Sequence, residues 1–150
     1  MFKLRIYVDT SVIGGCLDKE FEEESRALPD MARRGDVTLV ISELLVAELR
    51  KANKEIQMIF DSLPDEYLDE VFISPESEHL RDLYLEGGVV GKSSSSDAHH
   101  VALASISRSD LIVSWNFKHI VHYEKIRGYN AINLREGYPM IDIRSPKEVV

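Results

Sequence analysis

The sequence has one cysteine in 150 residues, which excludes an internal disulfide and any zinc site built on several thiolates. Cys16, set between Gly14-Gly15 and Leu17, reads as a small buried residue rather than a reactive thiol. No apolar run approaches the roughly 18 residues that a membrane helix needs. No charged-then-apolar leader opens the sequence either, so the reading is a cytoplasmic protein with no membrane partner. Basic residues are in deficit: 18 Lys and Arg face 26 Asp and Glu, a net charge of −8. A protein that simply coats nucleic acid would be basic. Work on a nucleic acid would therefore rely on metal ions, a partner, or local cations such as Arg33-Arg34, Arg50-Lys51, Lys54, Lys92 and Lys118. Most of these cations also read as solvated helix surface. No internal repeat is present. The one low-complexity stretch, GGVVGKSSSS at 87–96, is too short for a domain linker and reads as a mobile loop beside the site. The length fits a single domain, 1–150, able to bury a core without staples.

What is present alternates between two periods. KLRIYV (3–8), VTLVIS (37–42), EVFIS (70–74), DLIVSW (110–115) and YNAINL (129–134) read as strands. Helical segments fall between them. Residues 20–34 are broken by Pro29 into two short helices. ELLVAELRKAN is capped by Ser42, and EIQMIFDSL stops before Pro64. PESEHLRDLYLEGG is opened by Pro75 and closed by paired glycines. DAHHVALASIS starts at Asp97, and FKHIVHYEKI is short. Gly14-Gly15 suggests a close backbone approach or a break. Strands alternating with helices imply an α/β fold of three layers, α/β/α. Its central sheet is mostly parallel, of four to five strands, with helices on both faces. The core spans about 3–134. The tail, 135–150, lacks a helix period, and its IDI either adds an edge strand or lies across the surface.

Four positions stand where the pattern changes. Asp9 ends the first strand, Glu48 sits inside an apolar helix, Asp97 opens a helix, and Asn116 follows LIVSW. Strand ends and helix faces converge on one crevice in a parallel sheet. Several carboxylates there repel one another and call for a hard divalent cation with oxygen ligands. Each position also has a plainer reading. Asp9, with Thr10 or Ser11, caps a short helix. Glu48 lies on a polar stripe, unless pairing or a metal offsets its apolar surroundings. Asp97 is an N-cap after four serines. Glu43 lies in a first turn, where the macrodipole favours an acid. His99 and His100 point in different directions on their helix, so at most one faces the cleft, as ligand, base or orienting group. Asn116 offers a carbonyl oxygen but no charge. Trp115 either stacks on a base or simply packs.

DTSV with Asp9, AEL with Glu48, DAHHVALA with Asp97 and VSWN with Asn116 together resemble the PIN-domain family. The likeness is strongest to the VapC-like toxin ribonucleases of toxin–antitoxin modules, and it spans residues 4 to about 134. The resemblance implies a Mg²⁺- or Mn²⁺-dependent endoribonuclease, an RNA substrate, a cognate antitoxin and a homodimer. Asp9, Glu48 and Asp97 match the family's first three acids. Thr10 and Ser11 match the polar pair after the first, and Ser114 the hydroxyl residue before the fourth position. Asn116 departs from the Asp favoured there, removing one metal-facing charge. Glu43 is a lesser candidate. The non-enzyme alternative is an attenuated PIN-like module that binds RNA or protein without turnover. Haloacid-dehalogenase-like phosphatases also open with a strand-end Asp, but they want a second Asp two residues on, where this sequence has Ser11.

Overall fold

The computed structural model describes residues 3–150. β1 (Leu4–Val8) alternates cleanly: Ile6 and Val8 face one layer, and Tyr7 faces the other. β2 (Val37–Ser42) and β4 (Leu111–Val113) alternate in the same way, so the sheet divides the core in two. One layer comprises α1 (Thr10–Gly15), α2 (Glu22–Arg33), α3 (Glu43–Leu49) and α4 (Lys54–Asp61). It packs Val12, Leu28 and Leu45 against Ile6, Leu39 and Val113. The opposite layer comprises α5 (Pro75–Glu86), α6 (Ser95–Ile106) and α7 (Tyr123–Arg135). It packs Leu80, Ala102 and Tyr129 around Tyr7, Val40 and Ile112.

Among the described residues the sheet has five strands in the order β3-β2-β1-β4-β5, with β3 at Leu68–Val71 and β5 at Asp142–Arg144. Every pairing is parallel. The three-layer α/β/α reading holds, and the architecture is PIN-like. Among the described residues no helix is long and apolar enough to cross a membrane.

Several local readings change. α1 begins at Thr10, so Asp9 rather than Thr10 or Ser11 occupies the cap position. Pro29 lies inside one continuous helix, α2, because Leu28, Pro29 and Ala32 are all buried and packing holds the helix through the missing N–H. Ser42 does cap α3, accepting from the Leu45 N–H at 3.0 Å, but the helix ends at Leu49. β3 starts two residues earlier than EVFIS.

The 87–96 stretch is packed, not loose: Val89 and Val90 are core residues. A Cβ on Gly128 of α7 would lie 3.0 Å from Val89 Cγ1, so α7 presses directly on this segment. Its last serines already belong to α6, and Asp97 is therefore the third helical residue.

YNAINL is not a strand but the second half of α7. Tyr129, Asn130, Ile132 and Asn133 form a buried helical stripe, and the asparagines satisfy their amides across it. Asn130 Oδ1 accepts from the Ile141 N–H at 2.7 Å, and its Nδ2 donates to the Ile141 carbonyl at 3.1 Å. That pair leads the chain into β5, so the fifth strand comes from the tail, as the edge-strand alternative for IDI allowed.

Candidate active site at the carboxyl edge of the sheet

The chain builds outward from β1 through β2 to β3, then returns to the other flank of β1 for β4 and β5. Between β1 and β4 the direction of growth reverses, and the crevice of such a sheet opens there, beyond the strands' carboxyl ends. Val8 and Val113 are register partners, so Asp9 and Ser114 leave the sheet side by side.

Asp9 is 4% exposed. Its Oδ1 accepts the Ser11 hydroxyl and its Oδ2 the Ser114 hydroxyl, each at 2.6 Å. Those hydroxyls in turn accept backbone N–H groups, Ser11 from Trp115 and Ser114 from Asn116, each at 2.9 Å. Both protons are thereby aimed at the carboxylate. Although Asp9 holds the cap position of α1, its side chain makes no cap hydrogen bond. Helix capping therefore does not account for it. Burial raises its pKa; His100 and the two serines pull it back, and Asp97 pushes it up further.

Glu48 is on α3, whose Leu45 and Leu49 are buried. Its Oε1 accepts the Thr10 hydroxyl at 2.7 Å and faces His100 Nε2 at 2.5 Å. Partial burial pushes its pKa up, but the His100 and Thr10 hydrogen bonds, with the charges of His100 and Lys51, outweigh that and hold it below the usual value.

His100 lies one turn after Asp97 on α6 and is buried. Its Nδ1 stands 2.7 Å from the Tyr7 hydroxyl, which donates to Ser42 Oγ at 2.8 Å. The Tyr7 hydroxyl bridges Ser42 Oγ and His100 Nδ1. A buried chain Ser42–Tyr7–His100 thus ends on Glu48. Burial keeps the phenol well above its ordinary pKa and neutral. His99 points elsewhere, to Ser77 Oγ at 3.0 Å; burial, then Arg81 and His100, lowers its pKa to about 4.

Asp97 is half-buried. Burial raises its pKa, His119 and His100 lower it, a hydrogen bond from Asn116 lowers it too, and Glu48 raises it. The Asn116 side-chain carbonyl, which the sequence offered to a metal or a bound water, is engaged by the backbone. Oδ1 accepts the N–H groups of Lys118 at 3.2 Å and His119 at 2.9 Å, because the turn after β4 needs an acceptor. The Asn116 side chain also lies near enough to Asp97 to lower its pKa. Glu43 is outside this group: its Oε1 accepts the Ile73 N–H at 2.9 Å, tying α3 to the segment after β3. Trp115 is a packing residue, stacked on Phe21 at 4.2 Å and donating to Ser25 Oγ at 2.7 Å.

Asp9, Thr10, Ser11, Glu48, Asp97, His100, Ser114 and Asn116 therefore share one crevice. Tyr7 and Ser42 join them unforeseen. The available signal was a lone hydroxyl aromatic in the apolar strand IYV, on the face opposite Val8. Among the described residues no three His, Cys, Asp or Glu side chains are spaced to hold a metal ion. The donor set nonetheless suits a hard cation. It is all oxygen, and two of its three carboxylates carry charge that burial and mutual repulsion disfavour.

No family model matches the chain, and no curated protein is similar to it in sequence. Solved structures do share the fold. VapBC2 from Rickettsia felis, bound to a DNA fragment from its promoter, matches with a TM-score of 0.57 at 16% identity, covering 95% of this chain and 98% of the other. FitAcB from Neisseria gonorrhoeae matches with the same TM-score, identity and coverage.

Proposed function

We propose that the protein is a Mg²⁺- or Mn²⁺-dependent endoribonuclease acting as the toxin of a toxin–antitoxin pair in the cytoplasm. The carrying observation is the convergence of Asp9, Glu48 and Asp97 at the switch point of the sheet, with Asp9 and Glu48 each held by their own hydrogen-bond partners. The three carboxylates would hold the cation. When bound, it supplies Lewis-acid activation of water and charge neutralisation at a phosphodiester. Ser11 and Ser114 fix the Asp9 carboxylate in one plane. Thr10 and His100 fix Glu48. The neutral Asn116 side chain lies beside Asp97, where a carboxylate would repel it. A fold shared with VapBC2 and FitAcB supports a cognate antitoxin as partner, and a homodimer is what the family resemblance implies. RNA is the substrate that the family resemblance implies.

A second reading, an attenuated module that binds without turnover, is favoured by the engaged Asn116 oxygen and the absence of a preset three-acid cluster among the described residues. One experiment separates the two. Purified protein, freed of any co-purifying partner, is incubated with a mixed-sequence labelled RNA in Mg²⁺, Mn²⁺ or EDTA, with Asp97→Ala alongside. Metal-dependent cleavage lost in the variant supports the nuclease. No cleavage by folded protein under either metal establishes the binding module.

A further inference from the structure

Residues 117–127, FKHIVHYEKIR, are unlike the rest of this acidic chain. They carry Lys118, Lys125 and Arg127 against the single acid Glu124, whereas the whole chain is at −8. Among the described residues none of these three cations is in an ion pair, although Arg5, Arg33, Arg34, Arg81, Arg135 and Arg144 all are. Two aromatic rings stand out from the same stretch, Phe117 at 49% and Tyr123 at 71% exposure. The Arg127 guanidinium lies 5.7 Å from the Tyr123 ring centroid, so ring and cation share one turn of α7.

The stretch starts at the crevice. Phe117 directly follows Asn116, and His119 lies close enough to Asp97 to lower its pKa. It is also held in shape. The Asn116 main-chain carbonyl accepts the N–H groups of Ile120 at 3.1 Å and Val121 at 2.8 Å, and the Tyr129 hydroxyl donates to the His119 carbonyl at 2.9 Å. A surface already ordered pays less entropy on binding. Unpaired cations interleaved with exposed aromatic rings match a single nucleic-acid strand: phosphates take the charges and bases take the ring faces. An acidic protein peptide would use the charges but leave both rings without a partner.

The geometry points to residues 117–127 as the lead-in surface for single-stranded RNA, with phosphates on Lys118, Lys125 and Arg127 and bases stacked on Phe117 and Tyr123. This rests on the ribonuclease reading only in taking RNA as the ligand.

The test is fluorescence anisotropy of a short labelled mixed-sequence RNA in EDTA, where binding is read apart from cleavage. Each phosphate contact adds about 0.7 to the slope of log affinity against log salt, so Lys118→Ala/Lys125→Ala/Arg127→Ala should flatten it by roughly 2. Tyr123→Ala and Phe117→Ala should each weaken binding about 5-fold or more, the low end for one stacked base. A charge-matched control, Lys19→Ala/Arg34→Ala/Lys147→Ala, should keep most of the slope. All substituted side chains are on exposed or half-buried residues, and circular dichroism melts verify the fold of each variant. Equal flattening by the two triple variants, or RNA affinity unchanged by any of them, overturns the proposal. So does a parent with no measurable RNA affinity, which would leave the stretch as a protein-docking face. Cleavage is assayed on the same proteins in Mg²⁺ and Mn²⁺. A parent that binds through this surface but cuts nothing retains the proposal and overturns the nuclease instead.

Discussion

At the scale of residues, the crevice stores charge at a cost. Asp9 and Asp97 both have pKa values raised in the folded state. For an acid with a raised folded pKa, the folded state binds the proton more tightly, so stability is fully present at low pH and falls as pH rises from the unfolded toward the folded value. Asp9→Asn should therefore raise the melting temperature at neutral pH in EDTA, with the gain disappearing below pH about 3.8, the ordinary value for an aspartate, where the parent's own carboxyl is protonated. A thermal shift series across pH reads this directly; a constant gain at every pH would trace it to packing instead. Glu48 runs the other way. Its lowered pKa contributes stability above the unfolded value that is lost as acid protonates it, so Glu48→Gln should destabilise most at neutral pH. Tyr7→Phe removes the phenol joining Ser42 to His100 and leaves a buried imidazole nitrogen unpartnered. The expected loss is about 1–3 kcal/mol in urea unfolding, with reduced cleavage because His100 no longer holds Glu48 in place.

Among the elements, α1 is short and carries the site's first contacts, so its seating matters. A Cβ on Gly15 would lie 2.4 Å from Ser25 Oγ and 2.9 Å from Trp115 Nε1. Gly15→Ala should destabilise by about 1–3 kcal/mol, the usual range for overpacking, against a helix-propensity gain of about 1. Chemical denaturation measures it. That close approach was legible in the Gly14-Gly15 pair, though only Gly15 needs it. Strands β1, β2 and β4 were legible too, because apolar β-branched runs bounded by turn residues leave little choice. YNAINL misled because β-branched and aromatic residues also sit in helices when the period fits. Its buried set at 129, 130, 132 and 133 is helical, but two of the four are asparagines, which hide the stripe from a hydrophobic reading. The serine run at 93–96 misled by composition: its order comes from Val89 and Val90, anchored just upstream. At the site, the carboxylates were visible as breaks in pattern. The Tyr7–His100 link was not, since 93 residues separate partners that only the sheet brings together.

For the molecule as a whole, the last strand is a structural member. Ile141 and Ile143 are buried, and Asn130 and Asn133 are bonded to the segment that carries them. Ending the chain after residue 134 should strip β5, leave β4 at an open edge and orphan the buried Asn130 amide. The truncated protein should show no cooperative thermal transition and poor amide dispersion by NMR. A native-like melt from that fragment would mean that the four remaining strands suffice.

The bond from Ser114 to Asp9 spans 105 residues, and Asp97 is itself 88 positions beyond Asp9 (97 − 9 = 88). During synthesis, then, the first acid emerges long before anything that orients it. A ribosome stalled between residues 48 and 97 holds a chain with two of the three carboxylates and no crevice. The site assembles only once β4 has docked against β1, when most of the chain has left the exit tunnel. Arming is late by topology alone.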